Sequence, residues 1–197
     1  MDNKQYVVVE KPEGVSYDDL CCLIQTAHQE NRQHGIKVNT KITTGAILKE
    51  HLGDAMTFVA MHEDEVIGTL SCNIKSERIP FAGERKVAFL SFAAVLPEWS
   101  GKGVCTSLMS AVQKRAEALN MEALTLIVVE KNPARKIYEH YGFEPLNYLY
   151  RKASNQFSVE MIKWLNAPPV SAGIIKGRFW LKRVKVRCKV AIVKRGL

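Results

Sequence analysis

An apolar run, a glycine turn and a helical pattern follow one another between residues 87 and 119. Residues 87–95, VAFLSFAAV, are too apolar and too rich in β-branched or aromatic side chains for a loop, and they predict a buried strand that ends before Pro97. After Gly103, apolar residues recur at helical spacing, at Val104, Leu108, Val112, Ala116 and Leu119. The region therefore predicts a strand, a tight loop and a helix in direct succession.

A glycine loop of this kind is suited to hold a phosphate group. The first-turn N–H groups of a helix have no partner within the helix and lie at the positive end of its dipole. Larger side chains in the loop would block the approach of a pyrophosphate. Gly101 and Gly103 by themselves are equally compatible with a simple turn.

A second strand and a second helix follow the first pair. Residues 123–129, ALTLIVV, are apolar on both faces and predict a central strand of a sheet. Asn132 and Pro133 are typical of the cap and first position of a helix, and Gly142 is typical of the residue that ends one. Tyr138 lies on this second helix.

The segments PEWSGKGVCTSLM (97–109) and NPARKIYEHYGF (132–143) together resemble the GNAT superfamily of N-acetyltransferases, which transfer an acetyl group from acetyl-CoA to an amine. The first segment is similar to the family's pyrophosphate loop, and the second to its late helix with a tyrosine and a Gly-Phe ending. Residues 57–72 look like its central hairpin, with a polar turn at Glu63 to Glu65. The resemblance covers most of residues 5–165. It implies a mixed α/β fold with a mostly antiparallel sheet flanked by helices.

The resemblance also implies which residues bind acetyl-CoA. It places the pantetheine arm along the end of the first apolar strand and the pyrophosphate at the glycine loop. The predicted cofactor-binding residues are Ala93, Ala94, Val95, Ser100, Gly101, Lys102, Gly103, Val104, Cys105, Thr106 and Asn132. Asn132 lies one residue nearer the tyrosine than the family's asparagine commonly does, and a plain helix cap is the alternative role for it.

Two catalytic positions are implied in the same way. When a neutral amine attacks the thioester, negative charge develops on the carbonyl oxygen, and a backbone N–H in the Phe92–Ala94 region is predicted to stabilise it. The thiolate that leaves needs a proton, and Tyr138, a phenol with a pKa of ~10, is the predicted general acid. An ordinary packed aromatic residue is the alternative for Tyr138.

The loop departs from the family pattern at both ends. Ser100 stands where the family usually has Arg or Gln, and Cys105 stands where it usually has Gly or Ala. Cys105 is interpreted as a small residue that fits the loop. A reactive thiol, activated by the helix N-terminus, is the disfavoured alternative.

No residue is identified as the general base. An alkylammonium group with a pKa of ~10 must lose its proton before it can attack, yet neither apolar strand contains an acid. Glu84 and Glu130 lie beside these strands and are predicted to be solvated loop carboxylates. His34 and His62 are predicted to be structural or exposed.

Length and composition restrict the class of protein. A chain of 197 residues predicts one domain, residues 1–166, followed by an extension, residues 167–197. The N-terminus has no signal-peptide pattern, and no run approaches the ~20 apolar residues of a membrane-spanning helix. The five cysteines are odd in number and lack paired spacing, which predicts no disulfide framework, no metal site and a cytoplasmic location.

The net positive charge belongs to the C-terminal extension. After Ala167 there are nine basic residues and no acidic one, so residues 1–166 carry −1 of the chain's net +8. Apolar and basic residues alternate between Val184 and Val190, which favours a strand over an amphipathic helix. Three roles remain open: a solvated edge on the body, contact of residues 174–195 with an anionic membrane at its inner face, or contact with nucleic acid, which is the least favoured.

Local signals predict the remaining elements. Residues 6–10 predict the first strand, Ser16 and Thr44 predict helix starts, and a polar turn at Ser154-Asn155 separates the last two strands. The predicted function is acetyl transfer from acetyl-CoA to a primary amine, with an amino sugar or sugar nucleotide as one candidate acceptor. A non-catalytic acyl-CoA-binding or docking module is the alternative, and the oligomeric state is left open.

Overall fold

The computed structural model describes residues 6–169 and 172–194 of the chain. By their internal contacts, these residues form two compact units. The first unit runs up to Lys75 and resumes at Ala88–Asn120, and the second consists of Ser76–Val87 and of the chain from Met121 onward. Two long strands, at residues 65–79 and 83–95, each have one part in the first unit and one part in the second.

The first unit combines helices with the N-terminal strands. Its elements are β1 (Val7–Glu10), α1 (Tyr17–Ala27), α2 (Gln29–Gln33), α3 (Gly45–Leu52), β2 (Met56–His62), the first part of β3 (Glu65–Ile79), the last part of β4 (Gly83–Val95) and α4 (Val104–Ala118). β2 pairs antiparallel with β1 and with β3, and Val59 lies opposite both Val9 and Thr69. The fully buried side chains of this unit include Leu20, Ile24, Leu48, Val59, Leu108 and Val112.

Side-chain caps start the first helices where the sequence predicts. The Ser16 hydroxyl accepts a hydrogen bond from the Asp19 N–H at 3.1 Å, and the Asp19 carboxylate accepts one from the Ser16 N–H at 2.9 Å. The Thr44 hydroxyl likewise accepts from the Ile47 N–H at 3.3 Å. Both predicted helix starts are therefore confirmed. These bonds satisfy N–H groups that have no acceptor within the helix.

The predicted central hairpin, formed by β2 and β3, is confirmed. β3 continues to Ile79, beyond the predicted end of the hairpin at residue 72. The turn at Glu63-Asp64 joins β2 to β3, and Glu63 adopts the left-handed conformation, with φ of 53°. β4 begins at Gly83 rather than at residue 87. Glu84 is therefore a strand residue, and its exposed carboxylate accepts a hydrogen bond from the Ser76 hydroxyl at 3.1 Å.

The second unit contains the C-terminal strands and two helices. Its elements are β5 (Ala123–Val129), α5 (Ala134–His140), β6 (Glu144–Arg151), β7 (Gln156–Trp164), α6 (Ala172–Lys194) and the hairpin segment Ser76–Val87. β7 pairs antiparallel with both β5 and β6, so Val159 lies opposite Val128 and Tyr148. The predicted turn before β7 is confirmed, with Asn155 left-handed at φ of 54°. A buried cluster consists of Ile79, Ala82, Val87, Ala123, Leu146, Ile162 and Ile175.

The seven strands are hydrogen-bonded in the order β1-β2-β3-β4-β5-β7-β6. The predicted fold class, a mixed α/β fold with a mostly antiparallel sheet and flanking helices, is confirmed. The division into a domain at 1–166 and an extension at 167–197 stays a prediction. In the part of the chain that the structure describes, no helix has the length and the hydrophobicity needed to cross a membrane.

The strand predicted in the C-terminal extension is wrong, because residues 172–194 form the helix α6. Ile175 and Phe179 are only 2% and 3% exposed and lie one helical turn apart on the buried face. Further apolar residues lie on the opposite face of the same helix. Because apolar side chains lie on both faces, the sequence does not show the single apolar stripe that is typical of an amphipathic helix. The alternation of apolar and basic residues between Val184 and Val190 is therefore the stronger local pattern, and it predicts a strand.

Candidate active site

The regular geometry of β4 is interrupted at Phe92. Its φ of 53° lies in the left-handed region, which residues with a β-carbon rarely adopt within a strand. An irregularity of this kind redirects backbone N–H and C=O groups and is common beside active sites. It lies directly before Ala93, Ala94 and Val95, the residues assigned above to the pantetheine arm.

The chain then forms the predicted loop and helix. A short 3₁₀ turn at Pro97–Trp99 leads through Ser100 into the glycine loop, and α4 begins at Val104. Gly101 and Gly103 have φ of 75° and 82°, so both positions require the conformational freedom of glycine. The predicted loop geometry is confirmed. Which of its residues bind acetyl-CoA stays a prediction.

The backbone amides of this loop are not all available to a ligand. The Ser100 N–H donates to the Pro97 carbonyl at 3.0 Å, and the Lys102 N–H donates to the Trp99 carbonyl at 3.3 Å. The amides at the start of α4, those of Val104, Cys105 and Thr106, have no acceptor within the helix. The start of α4 is therefore the part of the predicted cradle best suited to an anion.

Aromatic side chains hold the loop in place. Trp99 is 4% exposed, and its ring packs edge-on against Tyr6 at 6.1 Å between ring centroids. The His62 ring lies tilted against it at 4.9 Å. The Tyr6 hydroxyl hydrogen-bonds the Ser107 hydroxyl at 2.9 Å. His62 thus has the structural role predicted as one of its alternatives. Sequence reasoning missed Tyr6 and Trp99, because nothing local links residues so far apart along the chain.

The start of α4 lies directly against β3 at Gly68. A β-carbon at this position would lie 2.9 Å from a methyl carbon of Val104 and 3.2 Å from one of Leu108. Only glycine allows the helix to approach the strand this closely. The two left-handed glycines, the free first-turn amides and the interruption at Phe92 together fit the pyrophosphate and pantetheine of acetyl-CoA.

Cys105 is a poor candidate for a reactive thiol. Burial raises its pKa above the ordinary cysteine value, so the thiol stays protonated at neutral pH. This direction favours the interpretation of Cys105 as a small packing residue.

The helix that carries Tyr138 belongs to the second unit. α5 starts at Ala134 with Pro133 at the cap position, one residue later than predicted, yet the side-chain oxygen of Asn132 still accepts from the Ala134 N–H at 2.9 Å. Two hydrogen bonds close the helix at Gly142, from the Gly142 N–H to the Glu139 carbonyl and from the Phe143 N–H to the Tyr138 carbonyl, at 3.1 and 3.0 Å. The predicted helix end is confirmed.

Tyr138 is partly buried, and its ring packs edge-on against Phe143 at a centroid distance of 6.1 Å. Asn132 is 8% exposed, and its side-chain oxygen caps the helix. The roles of Tyr138 as general acid and of Asn132 in cofactor binding stay predictions.

Glu130 is not the solvated carboxylate that the sequence predicts. Its side chain is 10% exposed and forms ion pairs with Arg183 at 2.9 Å and Arg187 at 2.6 Å. It also accepts a hydrogen bond from the Tyr148 hydroxyl at 2.7 Å. Burial by itself raises the pKa of this carboxyl, but the hydrogen bonds outweigh burial and leave the pKa below the ordinary glutamate value. Glu130 therefore fastens α6 to the strands of its unit.

Loss of the Glu130 charge should destabilise the second unit. We expect Glu130→Gln to lower the free energy of unfolding by about 2 kcal/mol, less than for a fully buried pair because both arginines keep partial access to water. Glu139→Gln, which removes the surface pair with Arg135, is the matched control and should change it by less than about 0.5 kcal/mol. Urea unfolding at neutral pH measures both. Equal effects would contradict the anchoring role.

His28 is a buried titratable residue that sequence reasoning missed. It lies between α1 and α2, is 8% exposed, and its Nδ1 is 3.3 Å from the side-chain nitrogen of Asn31. Its Nε2 is buried without a hydrogen-bond partner among the described residues. Burial and, next, the positive charge of Arg32 lower its pKa to about 4, although the nearby Ala93 backbone favours the protonated ring. The ring is therefore neutral at physiological pH.

Acid should destabilise the protein through His28. The folded-state pKa of about 4 lies below the unfolded value of 6.5, so the stabilisation is complete above about pH 6.5 and is lost as the pH falls toward 4. The full decrease in the free energy of unfolding is about 3 kcal/mol. Urea unfolding between pH 7 and 4 should show this pH-dependent decrease in the wild type, and the decrease should be absent in His28→Gln. His51→Gln, at an exposed histidine of α3, should keep it. Parallel curves for the wild type and His28→Gln would refute the assignment.

Residues 6–169 and 172–194 bring together no group of three or more His, Cys, Asp or Glu side chains that could hold a metal ion.

Several solved structures share the fold of this chain at low sequence identity. Ard1 from Thermoplasma volcanium is 19% identical, with a TM-score of 0.60 over 82% of this chain and 99% of that chain. NAA60 from Arabidopsis thaliana, solved with a bisubstrate analogue, is 18% identical, with a TM-score of 0.61 over 81% and 100%. An aminoglycoside 6′-N-acetyltransferase complexed with coenzyme A is 11% identical, with a TM-score of 0.61 over 83% and 99%.

No curated protein matches the chain in sequence. The model of the acetyltransferase (GNAT) family matches residues 22–143, which is more than half of the chain and contains the second half of α1, the interrupted strand β4, the glycine loop, α4 and α5. The chain therefore belongs to the GNAT family of acetyltransferases and has acetyl-CoA as its cosubstrate.

Proposed function

We propose that this acetyltransferase transfers the acetyl group of acetyl-CoA to the nitrogen of a primary amine by direct attack. The observation that carries the proposal is the interruption of β4 at Phe92, which lies in the same unit as the left-handed glycines and the free amides at the start of α4. A strand that only packed would not need a left-handed residue at this point.

The proposed chemistry uses few groups of the protein. The amine nitrogen bonds to the thioester carbonyl carbon, and the carbon–sulfur bond breaks. An N–H in the Phe92–Ala94 region donates to the carbonyl oxygen while negative charge develops there. Tyr138 gives its proton to the departing sulfur and recovers one from solvent, and the proton of the attacking amine leaves through water. The amides of Val104, Cys105 and Thr106 hold the pyrophosphate.

An amino sugar or a sugar nucleotide is the acceptor class that we propose first. Among the proteins of similar fold, one is an aminoglycoside 6′-N-acetyltransferase, whose name describes transfer to an amino group of a sugar-containing compound. Residues 1–166 carry a net charge of only −1, so no strong field favours a polycationic or polyanionic acceptor. The alternative is a non-catalytic acyl-CoA-binding module, which the lack of an identified base favours.

A two-step experiment tests the proposal. Calorimetric titration with acetyl-CoA, with dephospho- and desulfo-CoA as controls, measures binding and its dependence on the phosphates. Release of the CoA thiol is then followed with a panel that contains amino sugar nucleotides, aminoglycosides, diamines and peptides. We expect binding and transfer to at least one amine. Binding without transfer would favour the non-catalytic module, and an ester product in place of an amide would overturn N-acetylation.

We also propose that the enzyme is a peripheral protein at the inner face of an anionic membrane. Residues 174–195 contact the lipid surface without crossing the membrane. Residue 195 lies outside the described residues. The nine basic residues after Ala167, without any acid, support this location.

A further inference from the structure

One face of α6 is committed to the second unit. Ile175 and Phe179 are 2% and 3% exposed, and the Phe179 ring packs edge-on against Tyr148 at a centroid distance of 5.9 Å. Val186 and Val190 continue this face and are partly buried. Because these residues recur every three or four positions, they determine which side of the helix faces the strands.

Ion pairs hold the same side of the helix. Lys176 pairs with Glu144 at 3.0 Å, and Arg183 and Arg187 pair with Glu130 at 2.9 and 2.6 Å. These contacts use three of the basic side chains of α6 and prevent the helix from rotating about its own axis. They therefore also determine which residues lie on the face of the helix opposite the strands.

The outer face of α6 is apolar, although nothing in the described part of its unit covers it. Ile174, Trp180, Leu181 and Val184 are 51%, 56%, 68% and 58% exposed. With Gly177 and Cys188, which are also exposed, they form a stripe about 20 Å long on the outer side of α6. Trp180 lies at the edge of this stripe, where its ring also packs edge-on against Phe179 at a centroid distance of 5.9 Å and lies 4.8 Å from the Arg183 guanidinium. A run of large exposed apolar side chains on one helix face indicates a contact surface.

Basic side chains border this stripe. Lys185 and Lys189 follow it along one edge, are exposed, and make no ion pair with the described residues. The helix contains no acid. A second copy of this helix packed on the stripe would bring lysines of equal charge together, and contact with nucleic acid would leave the apolar side chains without a partner. An anionic lipid surface has negative headgroups above an apolar interior. It therefore offers a partner both to the apolar stripe and to the lysines at its edge.

We propose that the outer face of α6, formed by Ile174, Trp180, Leu181, Val184, Lys185 and Lys189, lies on an anionic lipid surface. The apolar side chains enter the boundary between headgroups and acyl chains, Trp180 lies at the level of the headgroups, and the lysines reach the lipid phosphates. The helix lies parallel to the surface. This inference rests on the proposed location and is independent of acetyl transfer.

Vesicle co-sedimentation of the full chain tests the proposal without acetyl-CoA or an acceptor. Vesicles of phosphatidylcholine with phosphatidylglycerol should bind the protein at least ~10-fold more strongly than vesicles of phosphatidylcholine alone, and salt should reduce the difference. On binding, the fluorescence of Trp180 should shift to shorter wavelength, and Trp180→Phe should remove this shift.

Neutral variants separate the two features of the surface. Leu181→Gln with Val184→Gln, and separately Lys185→Gln with Lys189→Gln, should each weaken binding to the anionic vesicles at least ~10-fold. Ile74→Gln and Lys114→Gln change exposed residues of the first unit and serve as matched controls that should bind as the wild type does. Acetyl-CoA titration and circular dichroism of every variant verify that the fold is intact.

Three outcomes would overturn the proposal. Equal sedimentation of the wild type and the Leu181/Val184 variant would show that the stripe does not contact lipid. A concentration-dependent dimer that this variant abolishes, without vesicle binding, would make a second copy the partner. Binding to RNA without vesicle binding would assign the basic edge to nucleic acid. Failure of the acetyl-transfer assay would leave the vesicle results unaffected, so the two proposals can fail separately.

Discussion

Binding of acetyl-CoA should be lost in Gly103→Glu, with Kd raised at least ~100-fold. The backbone of Gly103 has a φ of 82°, a conformation that strains any residue with a β-carbon, and the new β-carbon would lie 3.4 Å from the Tyr6 hydroxyl that supports the loop. The carboxylate would also bring negative charge to the start of α4, where the pyrophosphate is proposed to lie. Calorimetric titration measures the loss.

Gly35→Glu is the matched control for this variant. Gly35 has a φ of 71°, lies in the same unit, and has nothing within 4 Å of the position of a new β-carbon. It therefore introduces comparable backbone strain and the same charge away from the loop. Binding should persist in Gly35→Glu. Tight binding by Gly103→Glu would refute the assignment of the loop.

Turnover should fall ~10²-fold in Tyr138→Phe, with acetyl-CoA affinity unchanged, once an acceptor has been identified. The substitution removes the phenolic proton and keeps the ring that packs against Phe143. A loss confined to kcat is expected of a group that acts only when the thiolate leaves. Steady-state kinetics together with acetyl-CoA titration separate the two effects.

Tyr141→Phe is the control for the tyrosine chemistry. Tyr141 ends the same helix, and its ring lies under the Lys163 ammonium at 4.1 Å, a contact that the phenylalanine ring can keep. Its turnover should equal that of the wild type. A Tyr138→Phe enzyme of normal turnover would exclude Tyr138 as the general acid and would move the search to another proton donor.

Much of the fold could be predicted because its signals are local. The strand at 123–129, the caps at Ser16 and Thr44, the turn before β7 and the helix end at Gly142 each depend on residues within a few positions of one another. The glycine loop belongs to the same group, because its left-handed residues are glycines and its helix begins directly after them.

The wrong predictions for Glu130 and for the C-terminal extension share a physical cause. The role of Glu130 depends on Arg183 and Arg187, which lie 53 and 57 residues further along the chain. The helical state of residues 172–194 depends on the burial of Ile175 and Phe179 in the second unit. Neither partner is visible in a short window of sequence, and an apolar outer face removed the period that would have predicted the helix.

The sequence by itself determined the family resemblance, the geometry of the glycine loop and many of the helices and strands, because these depend on backbone conformations that particular residues adopt locally. Only the tertiary structure decided that Phe92 is left-handed, that Tyr6, His62 and Trp99 support the loop, and that His28 is buried and neutral. It also decided which face of α6 is buried and which is left exposed. Burial and long-range pairing settle these features, and both arise only when distant parts of the chain pack together.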